Sequence, residues 1–159
     1  MDWTDYCRRK QHSMRLRGGK MNPYHALKIK LHPEMGRGVF ASWSFDEDLV
    51  DKELVSCELL VLNHSDTYYV NKTDLKHYTF KYNDEQDCLV LGIGELFNHS
   101  DTPNVSYSLV DKLENGQIRK VMSFRLLKPV AAGEQLFIDY NADVHVNTKE
   151  YINSKSMVE

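Results

Sequence analysis

Three short segments carry residue types able to do chemistry. Tyr140 ends the apolar run Leu136-Phe137-Ile138 beside Asp139. A buried phenol needs a partner for its hydroxyl. Taken alone, a core tyrosine is the simpler account, as it is for Tyr78, Tyr82, Tyr107 and Tyr151. Asn98-His99-Ser100 follows the apolar pair Leu96-Phe97, which draws Asn98 and His99 inward. Ser100 to Asn104 reads as a capped turn, because Asn, Ser and Asp bond their own backbone and Pro103 ends the segment. Gly36-Arg37-Gly38 follows a strand pattern, and glycines let a backbone approach a ligand closely.

Several chemistries are excluded. A Ser/His nucleophile needs an orienting acid and a strained elbow, and no G-x-S-x-G occurs. Seven histidines are scattered without ligand spacing, and Cys7, Cys57 and Cys88 form no C-x-x-C pair. Neither a structural zinc site nor a disulfide framework is expected. The glycine pair lacks the third glycine and following helix of a dinucleotide fingerprint, and no Gly-Lys-Ser/Thr follows it.

The elements that must position these residues are mostly short strands. Leu27 to Leu31 alternates apolar and polar, which predicts a half-buried strand, and Val39-Phe40-Ala41 resumes after the glycines. Glu58–Leu62 and Cys88–Ile93 read as buried strands. Thr73 to Tyr78 reads as a helical turn capped by Thr73 or Asp74. Alternation at Val105, Tyr107 and Leu109, the turn pair Asn115-Gly116, and Ile118 to Leu126 predict a hairpin. Ala132-Gly133-Glu134 turns into a last strand, Leu136 to Tyr140, and a short helix is expected around residues 148–154. This spacing predicts a mainly β domain of several small sheets.

At 159 residues the chain is one domain's worth, preceded by a basic arm. Residues 1–22 hold six bases against two acids, and the remainder holds fourteen bases against twenty-one acids, a net of −7. Such an arm suits weak contact with nucleic acid, while the acidic body weakly favours a lysine-rich peptide. Apolar runs such as Leu59 to Leu62 are too short to span a bilayer, and the first residues are no secretory signal, so an intracellular protein is expected.

In order, GRGVFA, YTF, GELFNHSDTPN and GEQLFIDY resemble the SET family of protein lysine methyltransferases over roughly residues 26–144. The pattern is most similar to small stand-alone viral members that methylate histones. The resemblance implies a SET domain over residues 23–144, a tail of 145–159 that flanks or closes the lysine channel, and a pseudoknot bringing Asn98-His99 against Leu136–Tyr140. It also implies S-adenosylmethionine as cofactor. Gly36, Arg37 and Gly38 would contact it by their backbone, Asn98 at its amino-acid end, and His99 at the adenine. Tyr140 matches the catalytic tyrosine and also belongs to the cofactor site. Tyr78 matches an aromatic of the lysine channel, and Ile138 stands where family members often set the number of methyl groups added.

Asp101 and the absence of any cysteine after Cys88 agree in excluding the zinc-binding tail of many relatives. The implied substrate is a lysine-containing protein, in particular a histone tail, with a nuclear or chromatin location. Homodimerisation is known among the small members. A methyltransferase of a non-histone protein and a SET-like binding module without catalysis are the alternatives.

Overall fold

Ten strands form three small sheets among residues 26–142, the residues that the computed structural model describes. The basic arm, the tail of residues 145–159 with Tyr151, and the helix expected around residues 148–154 lie outside them. The strands are β1 (Leu27–His32), β2 (Gly36–Ala41), β3 (Glu53–Cys57), β4 (Leu59–Val61) and β5 (Thr79–Lys81). They continue with β6 (Asp87–Val90), β7 (Asn98–His99), β8 (Val105–Glu114), β9 (Gln117–Leu126) and β10 (Gln135–Ile138). One α-helix, α1 (His64–Val70), and three 3-10 turns connect them. The fold is mainly β, as expected.

The sheet orders are β1-β2-β10-β7, β3-β9-β8 and β4-β6-β5. The first sheet matters most for function. Its strand β10 pairs antiparallel with β2 and parallel with β7, aligning Phe137 with Asn98 and Ile138 with His99. Segments far apart in sequence thereby meet, in the pairing that the family resemblance calls for. Gly133, at φ +83°, makes the turn that sends the chain into β10.

The long β8–β9 hairpin is joined by Asn115 and Gly116, both at positive φ (51° and 75°). Mirror-image turns of this kind match the right-handed twist of the flanking strands. Phe124 of β9 stacks on Phe97 with ring centroids 4.7 Å apart. Around that pair the core gathers Val39, Phe45, Val105, Leu126, Leu136 and Ile138, all essentially without solvent contact.

Four sequence expectations need correction. Strand β1 forms, but it is the outer strand of its sheet; only Leu27 is covered, while Ile29 and Leu31 are exposed. The apolar run of Glu58–Leu62 yields β4, also an edge strand, with Leu60 exposed and only Leu62 enclosed. The run Cys88–Ile93 stops being a strand at Val90. Leu91 is exposed, and Gly92 (φ +83°) turns the chain into the 3-10 helix Gly92–Leu96. Asn104 does not close its own turn but reaches across to β10, as described below.

The helical turn is found as Asp74–Tyr78, with the Thr73 hydroxyl accepting from Leu75 N–H. Helix α1 was not expected. It has no buried residue, so no apolar period marks it. Its signal is the reciprocal capping box of Asn63 and Asp66.

Candidate active site

Strand β7 is only two residues long, yet it fixes the relative positions of most candidate residues. The Asn98 amide donates to the Arg37 carbonyl at 3.2 Å, tying β7 to the glycine turn. One face of the turn is closed and the other open. A Cβ on Gly38 would lie 2.5 Å from Gln135 Nε2 and 2.9 Å from Asn98 Nδ2, so any side chain there would have to displace these two amides. Gly36, at φ +73°, has nothing within 4 Å of the place a Cβ would take. A ligand can therefore approach the backbone at Gly36. On the closed face, against Gly38, Gln135 Nε2 is enclosed without a hydrogen-bond partner among the described residues, an unused donor of the kind that a bound polar group would satisfy.

His99 links β7 to the end of β10. Its Nδ1 accepts from Tyr140 N–H at 3.1 Å, and its Nε2 lies 3.0 Å from Asp101 Oδ1. Accepting at Nδ1 requires a lone pair there, which leaves Nε2 to carry the proton toward Asp101. The His99 and Tyr140 rings are 5.1 Å apart. The Tyr140 hydroxyl donates to the Phe97 carbonyl at 2.9 Å. Burial, reinforced by Tyr78 and Glu95, pushes this phenol above its usual range, so it is a hydrogen-bond donor at neutral pH.

Asn104 holds the arrangement from behind. It is buried; its amide donates to the Gln135 carbonyl at 2.9 Å, and its carbonyl accepts from Phe137 N–H at 2.7 Å. Both bonds go to β10, so the segment after Ser100 is a long-range clamp. Only the Ser100 hydroxyl, accepting from Thr102 N–H, behaves as the local turn predicts.

Tyr78 and Tyr140 line one pocket of about 130 Å³. Phe80, Phe97 and Tyr107 supply aromatic walls, and Glu95 adds a carboxylate that the sequence reading did not single out. Burial pushes the Tyr107 phenol up to about 12 and the Glu95 carboxyl up to about 7. The signal available for Glu95 was its place three residues before Asn98, inside an apolar stretch. Arg37 is exposed at the glycine turn. Ile138 does not join the pocket: it is fully enclosed in the core and is not among the lining residues. Gly36, Arg37, Gly38, Asn98, His99 and Tyr140 are thus brought together, with Tyr78 across the pocket and Ile138 behind it. No helix among the described residues is long and apolar enough to cross a membrane.

A Schizosaccharomyces pombe protein named as a histone-lysine N-methyltransferase specific for H3 lysine 37 is 28% identical over 116 residues, 72% of each chain. A crystal structure of a Plasmodium falciparum candidate histone methyltransferase superposes with a TM-score of 0.56 at 20% identity. It covers 74% of this chain and 98% of the other, and shares its fold. The sequence profile of the SET domain matches residues 36–141, from the glycine turn to the residue after Tyr140, and the chain belongs to the SET domain family.

Proposed function

We propose that this protein is an S-adenosylmethionine-dependent protein lysine N-methyltransferase with histone tails as its substrate class. One observation carries the reading. The parallel pairing of β7 with β10 joins the glycine turn, Asn98, His99 and Tyr140 into one continuous site that adjoins an aromatic pocket. The name of the S. pombe relative supports a histone substrate.

The residues present fit the cofactor. The open backbone at Gly36 and the enclosed, unpaired Gln135 amide suit a polar ligand lying across the turn. The Gly36-Arg37-Gly38 backbone and the Asn98 side chain would hold its amino-acid end. The His99 backbone would meet the adenine. When bound, S-adenosylmethionine supplies a sulfonium methyl as the electrophile.

The chain's own residues do the rest. A lysine amine has an ordinary pKa of about 10.4 and must arrive neutral to act as a nucleophile. Aromatic walls from Tyr78, Phe80, Phe97 and Tyr107 disfavour the charged form and exclude water. The Tyr140 hydroxyl, fixed by the Phe97 carbonyl, orients the reacting groups in the pocket. Alignment of this kind is worth up to about 7–11 kcal/mol.

The test is methyl transfer from labelled S-adenosylmethionine to core histones, comparing wild type with Tyr140→Phe. Label on lysine that disappears in the variant supports the reading. Absence of both cofactor binding and transfer in the wild type would overturn it.

A further inference from the structure

Glu95 lines the same pocket and has no part in the mechanism above. It stands in the 3-10 helix Gly92–Leu96, close enough to Tyr140 for its charge to raise that phenol. Oε1 accepts from Val90 N–H, but Oε2 is enclosed without a hydrogen-bond partner among the described residues. A carboxylate oxygen kept from water without a donor costs more than a neutral acceptor left that way. None of the other polar groups lining the pocket reaches it: the Tyr140 hydroxyl is committed to the Phe97 carbonyl, and His77, Tyr78, Thr79, Lys81 and Tyr107 make no hydrogen bond to Oε2. A cationic donor on an apolar stem, entering past Tyr78, would supply what is missing.

We propose that Glu95 receives the ammonium group of the substrate lysine and accepts its proton, leaving the amine neutral for methylation. The inference rests on the lysine methyltransferase reading. In the step, a nitrogen–hydrogen bond breaks and an oxygen–hydrogen bond forms on the Glu95 carboxylate. The electron pair stays on nitrogen, and the proton passes to water when the product leaves.

The carboxyl's lift to about 7 by burial, opposed by the Val90 N–H, suits an acceptor that must release its proton near neutrality. Other titratable groups face the same space. His77 and Tyr78 come from the 3-10 helix Asp74–Tyr78, Lys81 from β5, Tyr107 from β8, and Tyr140 from beyond β10. The thiols of Cys57 and Cys88 lie behind Glu95, and both are pushed up by their own burial and by its charge.

Glu95→Gln separates this role from a structural one, because glutamine keeps the acceptor for Val90 N–H. The full chain carrying carboxyl-labelled glutamate would be followed by carbon NMR, with Glu95→Gln identifying the resonance. The probes are n-butylammonium, which has a lysine's end group and stem, and neutral 1-butanol. Butylammonium should shift the Glu95 resonance and lower its titration midpoint, and butanol should not. An equal response to both, or none, would overturn the proposal.

With core histones as substrate, the wild-type rate should rise with pH to a plateau above about 7. The Glu95→Gln rate should be at least tenfold lower at pH 7 and keep climbing above pH 8. Matching pH profiles for the two proteins would also overturn it. Absence of transfer by the wild type would instead count against the methyltransferase reading, while the butylammonium response still decides whether Glu95 is an ammonium site.

Discussion

The Tyr140 hydroxyl donates to the Phe97 carbonyl at 2.9 Å, which ties the exit of β10 to the residue that leads into β7. Tyr140 is half exposed, and its ring also rests near His99. The hydroxyl therefore contributes little to folding and has a defined direction at the pocket. Tyr140→Phe should lower stability by only about 1 kcal/mol, the net worth of one neutral hydrogen bond. Methyl transfer should fall a hundredfold or more, about 2.7 kcal/mol of transition-state stabilisation. Thermal melts alongside turnover with labelled cofactor check the pair. A variant that turns over within roughly threefold of wild type would remove Tyr140 from the mechanism.

Asn104 should show the opposite pattern. Asn104→Ala leaves the buried Gln135 carbonyl and the half-buried Phe137 N–H without these partners. Each such group costs about 1–3 kcal/mol. The β10 strand would lose its clamp, and with it the register that aligns Phe137 with Asn98. Urea midpoint and cofactor affinity should drop together. A large loss of affinity with an unchanged midpoint would mean that Asn104 touches the ligand directly.

The two glycines of the turn differ in what substitution does. Gly38→Ala drives a methyl against Gln135 and Asn98, both of which hold the site in shape. Gly36→Ala meets no atoms but forces alanine to φ +73°, a strain of about 1–2 kcal/mol. Calorimetric titration with S-adenosylhomocysteine should show the weaker binding in Gly38→Ala. Melting should show a loss for Gly36→Ala even without ligand. Equal affinity for wild type and Gly38→Ala would place the cofactor elsewhere.

How much of this was legible depended on the kind of signal each residue leaves. Asn115-Gly116 announces its hairpin because the turn demands positive φ, and the alternation of Val105, Tyr107 and Leu109 gives the strand beside it. The β7 strand has two residues and no period. Its partner could be named only because the ordered motifs resemble a family, since no local rule pairs Asn98 with Phe137 across that distance in sequence. Edge position is likewise silent: Ile29 and Leu60 have the composition of covered strands, and only the sheet order leaves them open. Ile138 was counted with the substrate residues because the resemblance puts it where family members often set the number of methyl groups added. Strand alternation turns its side chain into the core instead. Glu95 leaves no local signal of a role, because its enclosure comes from tertiary packing of the 3-10 helix against β6, where Val90 N–H meets its carboxylate.

The burial of Glu95 also gives stability a pH dependence of definite sign. Its carboxyl is raised in the fold from an ordinary 4.5 to about 7. Between those values the unfolded chain has lost the proton that the folded chain retains. Stability contributed by this group is therefore full below about 4.5 and declines as pH rises, and the loss is complete above about 7. Glu53 runs the other way. Burial alone would raise its carboxyl, but the Lys112 ammonium and Ser123 hydroxyl overcome this and hold it low, so its contribution is lost as pH falls below the ordinary carboxylate range. Comparing Glu95→Gln with wild type cancels the Glu53 effect. The difference in urea midpoint should grow in favour of the variant from pH 4.5 to 7 and then level off. A constant difference over that range would show that Glu95 titrates in the fold as it does in the unfolded chain.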